Sequence, residues 1–305
     1  MESLHLLINL AIAKPYSQAL AVVEELTIPI IVSNALGMFI FAFIISNLLR
    51  ERETIKQRDL YFDELERKKH ELNVASKIQK TFLPEELPSI PGFQVAALNI
   101  PAHEVGGDFY DFIPISSEKT GIVIADVTGE SSLLMALSRT IIRGEAKNLK
   151  PQKLMRYLNH LIAVDIGPEI FVTILYGELN LENKCFTYVN AAHIPPLIYR
   201  NGTNQLEELV RGEKSLGRLE NIELEKYKVK IENGDIIIFY TDGVVKSLED
   251  KEISGDEVLR RMISSNHELS PQALVDKLKN RAAKSESNLD DMALAILKAN
   301  YYFDE

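Results

Sequence analysis

The longest apolar run of the chain extends from residue 26 to 49, LTIPIIVSNALGMFIFAFIISNLL, and contains no charged residue. About 20 such residues are enough to cross a bilayer as a helix. Glu24 and Glu25 precede the run and no cleavage pattern follows it, which argues against a signal peptide. The pattern predicts a membrane segment over residues 1–49 with its span at about 26–49. A buried helix of a soluble domain is the alternative.

The charges beside this run predict its orientation. Four bases follow it closely, Arg50, Arg52, Lys56 and Arg58, whereas Lys14 is the only base before it. Bases collect on the cytoplasmic side of membrane spans. We therefore expect a protein of the cell membrane whose C-terminal domain lies in the cytoplasm.

Residues 50–83 have the pattern of a connecting helix. Residues 50–70 hold seven bases and six acids and almost no turn-forming residues. Favourable pairs at helical and heptad spacing lie along the segment: Asp63 with Arg67, Glu64 with Lys68, Ile55 with Phe62, and Leu65 with Leu72. Pro84 and Pro88 then end the helix. We predict a signalling coiled coil that forms a homodimer through residues 50–82; a single solvated helix is the alternative.

Residues 84–305 mix short β-branched or aromatic runs with amphipathic ones. Strands are predicted at Phe93–Ile100, Phe109–Ile115, Gly121–Ala125, Phe171–Leu179, Cys185–Asn190, Tyr227–Ile231, Ile236–Tyr240 and Met292–Leu297. Helices are predicted at Ser132–Lys147, Pro151–Val164, Gly255–Ser264 and Pro271–Ala283, with Ser270 as an N-cap before a proline. Because strands come in runs rather than alternating with helices, an α+β layered fold is favoured over a doubly wound one.

The composition limits which partners and which kinds of metal site the protein can have. Apolar residues make up 46% of the 305, enough for a sizeable core, and the net charge of −10 disfavours nucleic acid as a partner. Cys185 is the single cysteine, so a disulfide framework and a thiolate metal cluster are both excluded, and we expect it to be buried. The six histidines lack metal-ligand spacing. Any metal chemistry must therefore come from carboxylates.

Aspartates stand at the ends of four apolar strands, in GGDFYD, GIVIADVTG, DIIIFYTDG and LDDMALAIL. They are Asp108, Asp126, Asp242 and the pair Asp290 and Asp291. One such residue is usually a turn or a cap, but four indicate convergence on one site. Converging carboxylates repel one another unless a cation neutralises them, and oxygen ligands select a hard ion such as Mg²⁺ or Mn²⁺.

The glycines of the first motif fit such a site. Gly106 and Gly107 come directly before Asp108. Without a Cβ they allow the backbone to come close to a crowded cluster.

With these motifs the region from about Leu72 to Leu297 resembles the PP2C-like serine/threonine phosphatases of the SpoIIE and RsbU branch. The matching pieces occur in the family's order over about three-quarters of the chain and include ASKIQKTFLPEELPSIPGFQVAALNIPAHEVGGDFYDF, IADVTG, YVNAAHIPPLI, IENGDIIIFYTDGV and DDMALAIL. A lone Gly-Gly-Asp would also match a GGDEF cyclase, but a cyclase would not supply the last two pieces. Residues 13–49 resemble the last part of the LytS-type multi-span sensor domain, whose earlier spans are missing here.

The resemblance implies a fold, a cofactor and a reaction. The fold would be an antiparallel β-sandwich flanked by helices, with two divalent cations, Mn²⁺ or Mg²⁺, at one end. Asp126 would bridge both ions, Asp242 and Asp290 would complete one set of ligands, and Asp108 with the Val127 carbonyl would hold the other. Asp126, Asp108 and Asp242 would be the catalytic residues. Activated water would hydrolyse phosphoserine or phosphothreonine on a phosphorylated STAS-type regulator, an anti-sigma-factor antagonist, and the connecting helix would switch the metal affinity.

Three further residues are candidates for a supporting role. Asp111 either supports a ligand or is a capping or surface residue. His193 is expected to make structural hydrogen bonds rather than to contact phosphate. Asp291 could replace Asp290 as the ligand, because adjacent residues point to opposite faces of a strand.

Two arginines follow the second aspartate motif. Arg139 and Arg143 lie one turn apart on a predicted helix, where they either meet phosphate or form a solvated face, and the solvated face is favoured.

The chain also departs from the family pattern. The loop after Asp126 is about three residues shorter, Ala192 replaces a glycine before His193, and Lys246 stands where an acid is common. If position 192 needs a positive φ, alanine would be strained there. These departures motivate a second hypothesis, a catalytically weak scaffold that binds a phosphoprotein without turnover, although a scaffold has no need of four mutually repelling carboxylate sites.

Overall fold

The computed structural model describes Ile8, Ile12 and residues 16–84, 86–127, 132–165, 170–250, 252–284 and 290–301. The chain divides into two compact units, Met1–His70 and Glu71–Glu305. We call the first the N-terminal unit and the second, which holds the predicted catalytic aspartates, the catalytic unit.

The described part of the N-terminal unit is almost entirely helical. Helix α1 (Tyr16–Phe82) contains Pro29 and continues into the catalytic unit, where it ends two residues before Pro84, as predicted. Among the described residues, it is the one helix long and apolar enough to cross a membrane. Most of the apolar run at 26–49 is exposed and none of its residues is buried, which argues against the buried helix of a soluble domain.

The catalytic unit contains ten described strands and five further described helices. The strands are β1 (Phe93–Ile100), β2 (Phe109–Ser116), β3 (Lys119–Val127), β4 (Val172–Asn180), β5 (Cys185–Ala191), β6 (Leu197–Arg200), β7 (Gln205–Glu208), β8 (Tyr227–Lys230), β9 (Ile236–Tyr240) and β10 (Met292–Ala299). The helices are α2 (Ser132–Glu145), α3 (Pro151–Asp165), α4 (Asp242–Leu248), α5 (Gly255–Ser265) and α6 (Pro271–Ala282).

The strands form two antiparallel sheets. The first has the order β1-β10-β9-β6-β7 and the second the order β2-β3-β4-β5-β8. A buried cluster joins their facing sides, with Phe112, Ile122 and Phe186 from the second sheet and Ile237 and Phe239 from the first. The predicted layered α+β fold is therefore present, as a sandwich of two sheets.

Helices cover both outer faces. Helices α2 and α3 pack on the second sheet through Met135 and Leu154, and α5 and α6 pack on the first through Leu259 and Leu274. A strand enclosed on both faces must be apolar at nearly every position. This explains why β3 is a continuous apolar run rather than an alternating one.

Most element boundaries agree with the sequence patterns, including the Ser270 N-cap, whose hydroxyl accepts a hydrogen bond from Ala273 N. The sequence patterns did not predict β6, β7 or α4. Strand β7 (QLEE) is polar and largely exposed, and α4 begins with the Asp-Gly of a turn-like motif. Cys185 is buried, as expected.

Candidate metal site

The four predicted aspartate sites meet at one end of the sandwich, two from each sheet. Antiparallel pairing of Phe109 with Ala125 places Asp108 opposite Asp126 at the ends of β2 and β3. Asp242 begins α4 directly after β9, and Asp290 precedes β10, the neighbour of β9. Asp126 is close enough to Asp242 and Asp290 for their charges to raise its pKa.

Asp108 and Asp126 lie on the face of their sheet that is turned toward the other sheet. Because side chains alternate along a strand, Asp108 shares this face with the buried Phe112, and Asp126 shares it with Ile122. Burial, and then the charge of Asp126, raises the pKa of Asp108, while Thr241 acts in the opposite direction. Burial, and then the charge of Asp242, raises the pKa of Asp126 to about 6. The described residues therefore compensate the charges of these two carboxylates only in part.

A hard cation fits this set of oxygen donors. Asp108 is 6% exposed, and its Oδ2 atom is buried without a hydrogen-bond partner among the described residues. A buried acceptor without a partner is costly, and a carboxylate oxygen is the donor type that Mg²⁺ and Mn²⁺ prefer. As the described side chains stand, however, no group of three or more His, Cys, Asp or Glu is ready to hold an ion.

Lys246 on helix α4 lies between two of the aspartates. Its Nζ atom is 2.7 Å from Asp242 Oδ2 and 2.5 Å from Asp290 Oδ2. The residue that departs from the family pattern therefore contacts two of the predicted ligands.

The two glycines before Asp108 are required by close contacts. A Cβ on Gly107 would lie 2.4 Å from the Val127 carbonyl oxygen, and one on Gly106 would lie 2.7 Å from Asp291 Oδ2. Val127 is buried at the end of β3, so the Gly-Gly turn packs against the backbone atom that the resemblance implies as a ligand. The rest of that loop, Thr128–Ser131, lies outside the described residues, and so does the predicted shortening.

Asp290 and Asp291, which the sequence could not separate, face different partners. Asp291 accepts hydrogen bonds from Ala102 N at 2.8 Å and from Gly107 N at 2.5 Å. Asp290 instead contacts Lys246 beside Asp242. The structure therefore places Asp290 beside Asp242 and places Asp291 against the Gly-Gly turn.

Asp111 lies on the opposite face of β2 from Asp108, toward helix α2. Its Oδ2 atom is 2.9 Å from Arg139 Nε and 3.1 Å from Arg143 Nε, and its Oδ1 atom accepts a hydrogen bond from Phe112 N. Asp111 is fully buried and Arg139 is 6% exposed. The surface interpretation of Asp111 and the solvated-face interpretation of Arg139 are therefore wrong. Their charges form a buried ion pair behind β2, and the half-exposed Arg143 joins its edge.

His193 joins the two sheets behind the aspartates. Its Nδ1 atom is 3.2 Å from Thr173 Oγ1 on β4, and its Nε2 atom is 3.2 Å from the Tyr240 carbonyl oxygen on β9. Burial lowers the pKa of His193 to about 4, so the ring is neutral near pH 7. These contacts agree with the predicted structural role.

Gln79, near the end of α1, is a contact residue that sequence reasoning missed. Its side-chain amide accepts a hydrogen bond from Gly106 N at 3.0 Å and donates one to the Gly106 carbonyl oxygen. The helix end is thereby joined to the turn that carries Asp108. The sequence predicted where the helix ends, but it could not show which loop the Gln79 side chain contacts.

Comparison with known proteins agrees with the fold and the site. The model of the family described as Stage II sporulation protein E (SpoIIE) matches residues 116–300, and that of the 5TMR of 5TMR-LYT matches residues 1–48. "Phosphoserine phosphatase RsbU" of Bacillus subtilis is 25% identical over 237 residues, which cover 75% of this chain and 70% of that protein. "Phosphoserine phosphatase RsbP" of the same organism is 29% identical over 185 residues, 58% of this chain and 45% of that protein.

Solved structures show the same fold. The SiaA-PP2C domain of Pseudomonas aeruginosa superposes with a TM-score of 0.66 at 17% identity, covering 77% of this chain and 98% of that domain. RsbX in complex with magnesium gives a TM-score of 0.53 at 15% identity, covering 70% of this chain and 99% of that one.

Two packed antiparallel sheets, helices on both outer faces and aspartates at one end define a PP2C-type serine/threonine phosphatase domain. The chain belongs to the SpoIIE family, whose model matches more than half of it. The family recognised from the sequence motifs is thereby confirmed.

Proposed function

We propose that this protein is a membrane-anchored, metal-dependent protein phosphatase that removes phosphate from phosphoserine or phosphothreonine of a bacterial regulatory protein. The observation that carries the proposal is the convergence of Asp108, Asp126, Asp242 and Asp290 at one end of the sandwich, with a buried Asp108 oxygen that has no partner among the described residues.

Each aspartate has a role in this proposal. Asp126 lies opposite Asp108 and interacts electrostatically with Asp242 and Asp290. It would therefore bridge two divalent cations, Mn²⁺ or Mg²⁺. Asp108 and the Val127 carbonyl would hold one ion, and Asp242 and Asp290 the other. Ions bound there would lower the pKa of a water molecule and neutralise charge on the phosphoryl group. The protein itself needs no Ser or Cys nucleophile, which agrees with the burial of its single cysteine.

The supporting residues fix the positions of these aspartates. Asp291 and Gln79 hold the Gly-Gly turn before Asp108 from two sides. His193 joins the strand paired with Asp126 to the strand that precedes Asp242. Rigid positioning of this kind avoids reorganisation during the reaction.

The family resemblance supports the proposed partner. The substrate is proposed to be a phosphorylated STAS-type regulator, an anti-sigma-factor antagonist. Dephosphorylation of such a protein more slowly than of an unrelated phosphopeptide would contradict this assignment.

We propose that the helical segment controls the phosphatase activity. Residues 50–82 form a homodimer in this proposal and act on the metal site through the contact between Gln79 and Gly106. Chemical cross-linking of the full chain in membranes tests the dimer, and exclusively monomeric chains would contradict it.

The test of the activity uses the full chain in detergent micelles and a phosphoserine peptide. We expect phosphate release with Mn²⁺ or Mg²⁺ that a chelator abolishes, and a loss of about 100-fold or more in Asp126→Asn, because ion-mediated charge stabilisation is worth several kcal/mol. Asp276→Asn, an exposed residue of α6, is the matched control and should keep full activity.

The scaffold remains a second candidate function because Lys246 contacts two of the proposed ligands. A folded wild-type chain that binds Mn²⁺ but releases no phosphate from either substrate would favour the scaffold. A chain that binds no Mn²⁺ at all would contradict the metal site itself.

A further inference from the structure

The position of Lys246 is set by helix α4. Asp242 and Lys246 are one helical turn apart, so their side chains lie on the same face, and the Lys246 ammonium also reaches Asp290 at the start of β10. A single ammonium group therefore joins two aspartates that come from different elements.

This contact differs from an ordinary surface ion pair in what it neutralises. The Oδ2 atoms of Asp242 and Asp290 contact the same Lys246 Nζ atom, so the two carboxylates lie close together. Without a positive charge between them they would repel each other. A divalent ion bound by both would supply that charge, and the Lys246 ammonium supplies half of it from within the chain. The two cations would compete for the same oxygen atoms.

The exposure of the three side chains indicates that this competition is reversible. The side chains of Lys246, Asp242 and Asp290 are 51%, 47% and 42% exposed, so water and ions reach them. Exposed ion pairs are weak individually because water screens them. The long, flexible lysine side chain can leave the carboxylates when a divalent ion arrives.

We propose that Lys246 is a built-in counter-cation that neutralises half of the charge of Asp242 and Asp290 in the metal-free protein and has to be displaced when a divalent ion binds there. The inference rests on the proposed function, since it takes Asp242 and Asp290 as ligands. It predicts two unequal ion positions, a tighter one at Asp108 and Asp126 and a weaker one at Asp242 and Asp290. In this proposal the concentration of the divalent ion determines when the weaker position is occupied.

Mn²⁺ binding to the full chain in detergent micelles tests the proposal, measured by calorimetry and by the loss of the free-ion paramagnetic resonance signal. In Lys246→Gln, which keeps a long polar side chain and removes the charge, we expect the weaker Mn²⁺ dissociation constant to fall about tenfold, as for the loss of two weak ion pairs. The melting temperature of the metal-free variant should fall, while that of the Mn²⁺-saturated variant should match the wild type. Lys246→Arg, which retains the charge, should behave like the wild type.

Lys153→Gln on α3 makes the same change of net charge at an exposed position outside the site and should leave both dissociation constants unchanged. Equal or weaker Mn²⁺ binding in Lys246→Gln, beside a wild type that binds two ions, would overturn the role of Lys246 and leave the proposed function intact. A lower melting temperature with and without Mn²⁺ would show that Lys246 is only a structural residue. Absence of Mn²⁺ binding in every variant, including the wild type, would overturn this inference together with the metal site.

Discussion

At the scale of single residues, the pair Ala192 and His193 shows how a backbone conformation serves the site. Ala192 has φ = +60°, which is unfavourable for a residue with a Cβ. The sequence prediction that alanine would be strained here, if the position needs a positive φ, is confirmed. The turn directs His193 N to the Asn190 side chain at 2.8 Å and the imidazole ring between the two sheets.

The buried His193 should make stability depend on pH. Its pKa is lowered from about 6.5 to about 4 in the folded protein, by burial first and also by the charge of Arg211. Above pH 6.5 the ring is neutral in both states. Between pH 6.5 and 4 the unfolded chain binds a proton that the folded protein does not, so the free energy of unfolding falls as the pH falls, by up to about 3 kcal/mol.

The variant His193→Gln should lack this component. Buried Asp108 and Asp126 also titrate in the metal-free protein, so the informative quantity is the difference between the denaturant-unfolding curves of wild type and variant from pH 7 to 4. His160→Gln, at an exposed histidine, is the control. A difference that stays constant with pH would contradict the buried neutral ring.

The aspartates show how far residue-level prediction from the sequence could reach. Each follows or precedes an apolar strand, so their convergence was predictable from pattern alone. Deciding between Asp290 and Asp291 was not, because it depends on the Gly107 amide, 184 positions away along the chain. The burial of Arg139 could not be predicted from the sequence either. An arginine on a helix is usually solvated, and only the fold places Asp111 beside it.

At the scale of elements, the sequence predicted the strands of five or more residues well. Strands β1 and β9 have the predicted bounds, because runs of strand-forming residues between turn residues leave few alternatives. Strands β6 and β7 have four residues each, and β7 is mostly polar, so their formation depends on pairing with neighbours. The omission of α4 had the largest consequence, because only a helix brings Lys246 beside Asp242.

The end of helix α1 should determine how firmly the Gly-Gly turn is held. Replacing Gln79 with alanine removes two hydrogen bonds to Gly106, each worth about 1 kcal/mol, without touching a proposed ligand. We expect faster amide hydrogen exchange in residues 102–108 and weaker Mn²⁺ binding in the full chain. Lys80→Ala, an exposed neighbour on the same turn, should change neither. Exchange as slow as in the wild type would show that the contact does not restrain the turn.

At the scale of the whole molecule, the two units place their apolar residues differently. In the N-terminal unit most of the apolar run at 26–49 is exposed, whereas in the catalytic unit apolar residues form buried clusters. An uncharged run of this length is stable only when lipid or another protein covers it. The match of residues 1–48 to the 5TMR of 5TMR-LYT favours lipid.

The bases that follow the apolar run predict the topology of the chain in a membrane, and this prediction can be tested directly. Arg50, Arg52, Lys56 and Arg58 should keep the catalytic unit on the cytoplasmic side. We expect the full chain to stay in the membrane fraction through a high-salt wash, and a chain without residues 1–49 to leave it. In inverted vesicles an added protease should degrade the catalytic unit, and in right-side-out vesicles it should not. Because the proposed substrate is a cytoplasmic regulator, protection in inverted vesicles would contradict the orientation and the proposed partner together, whereas release by salt would contradict only the anchoring.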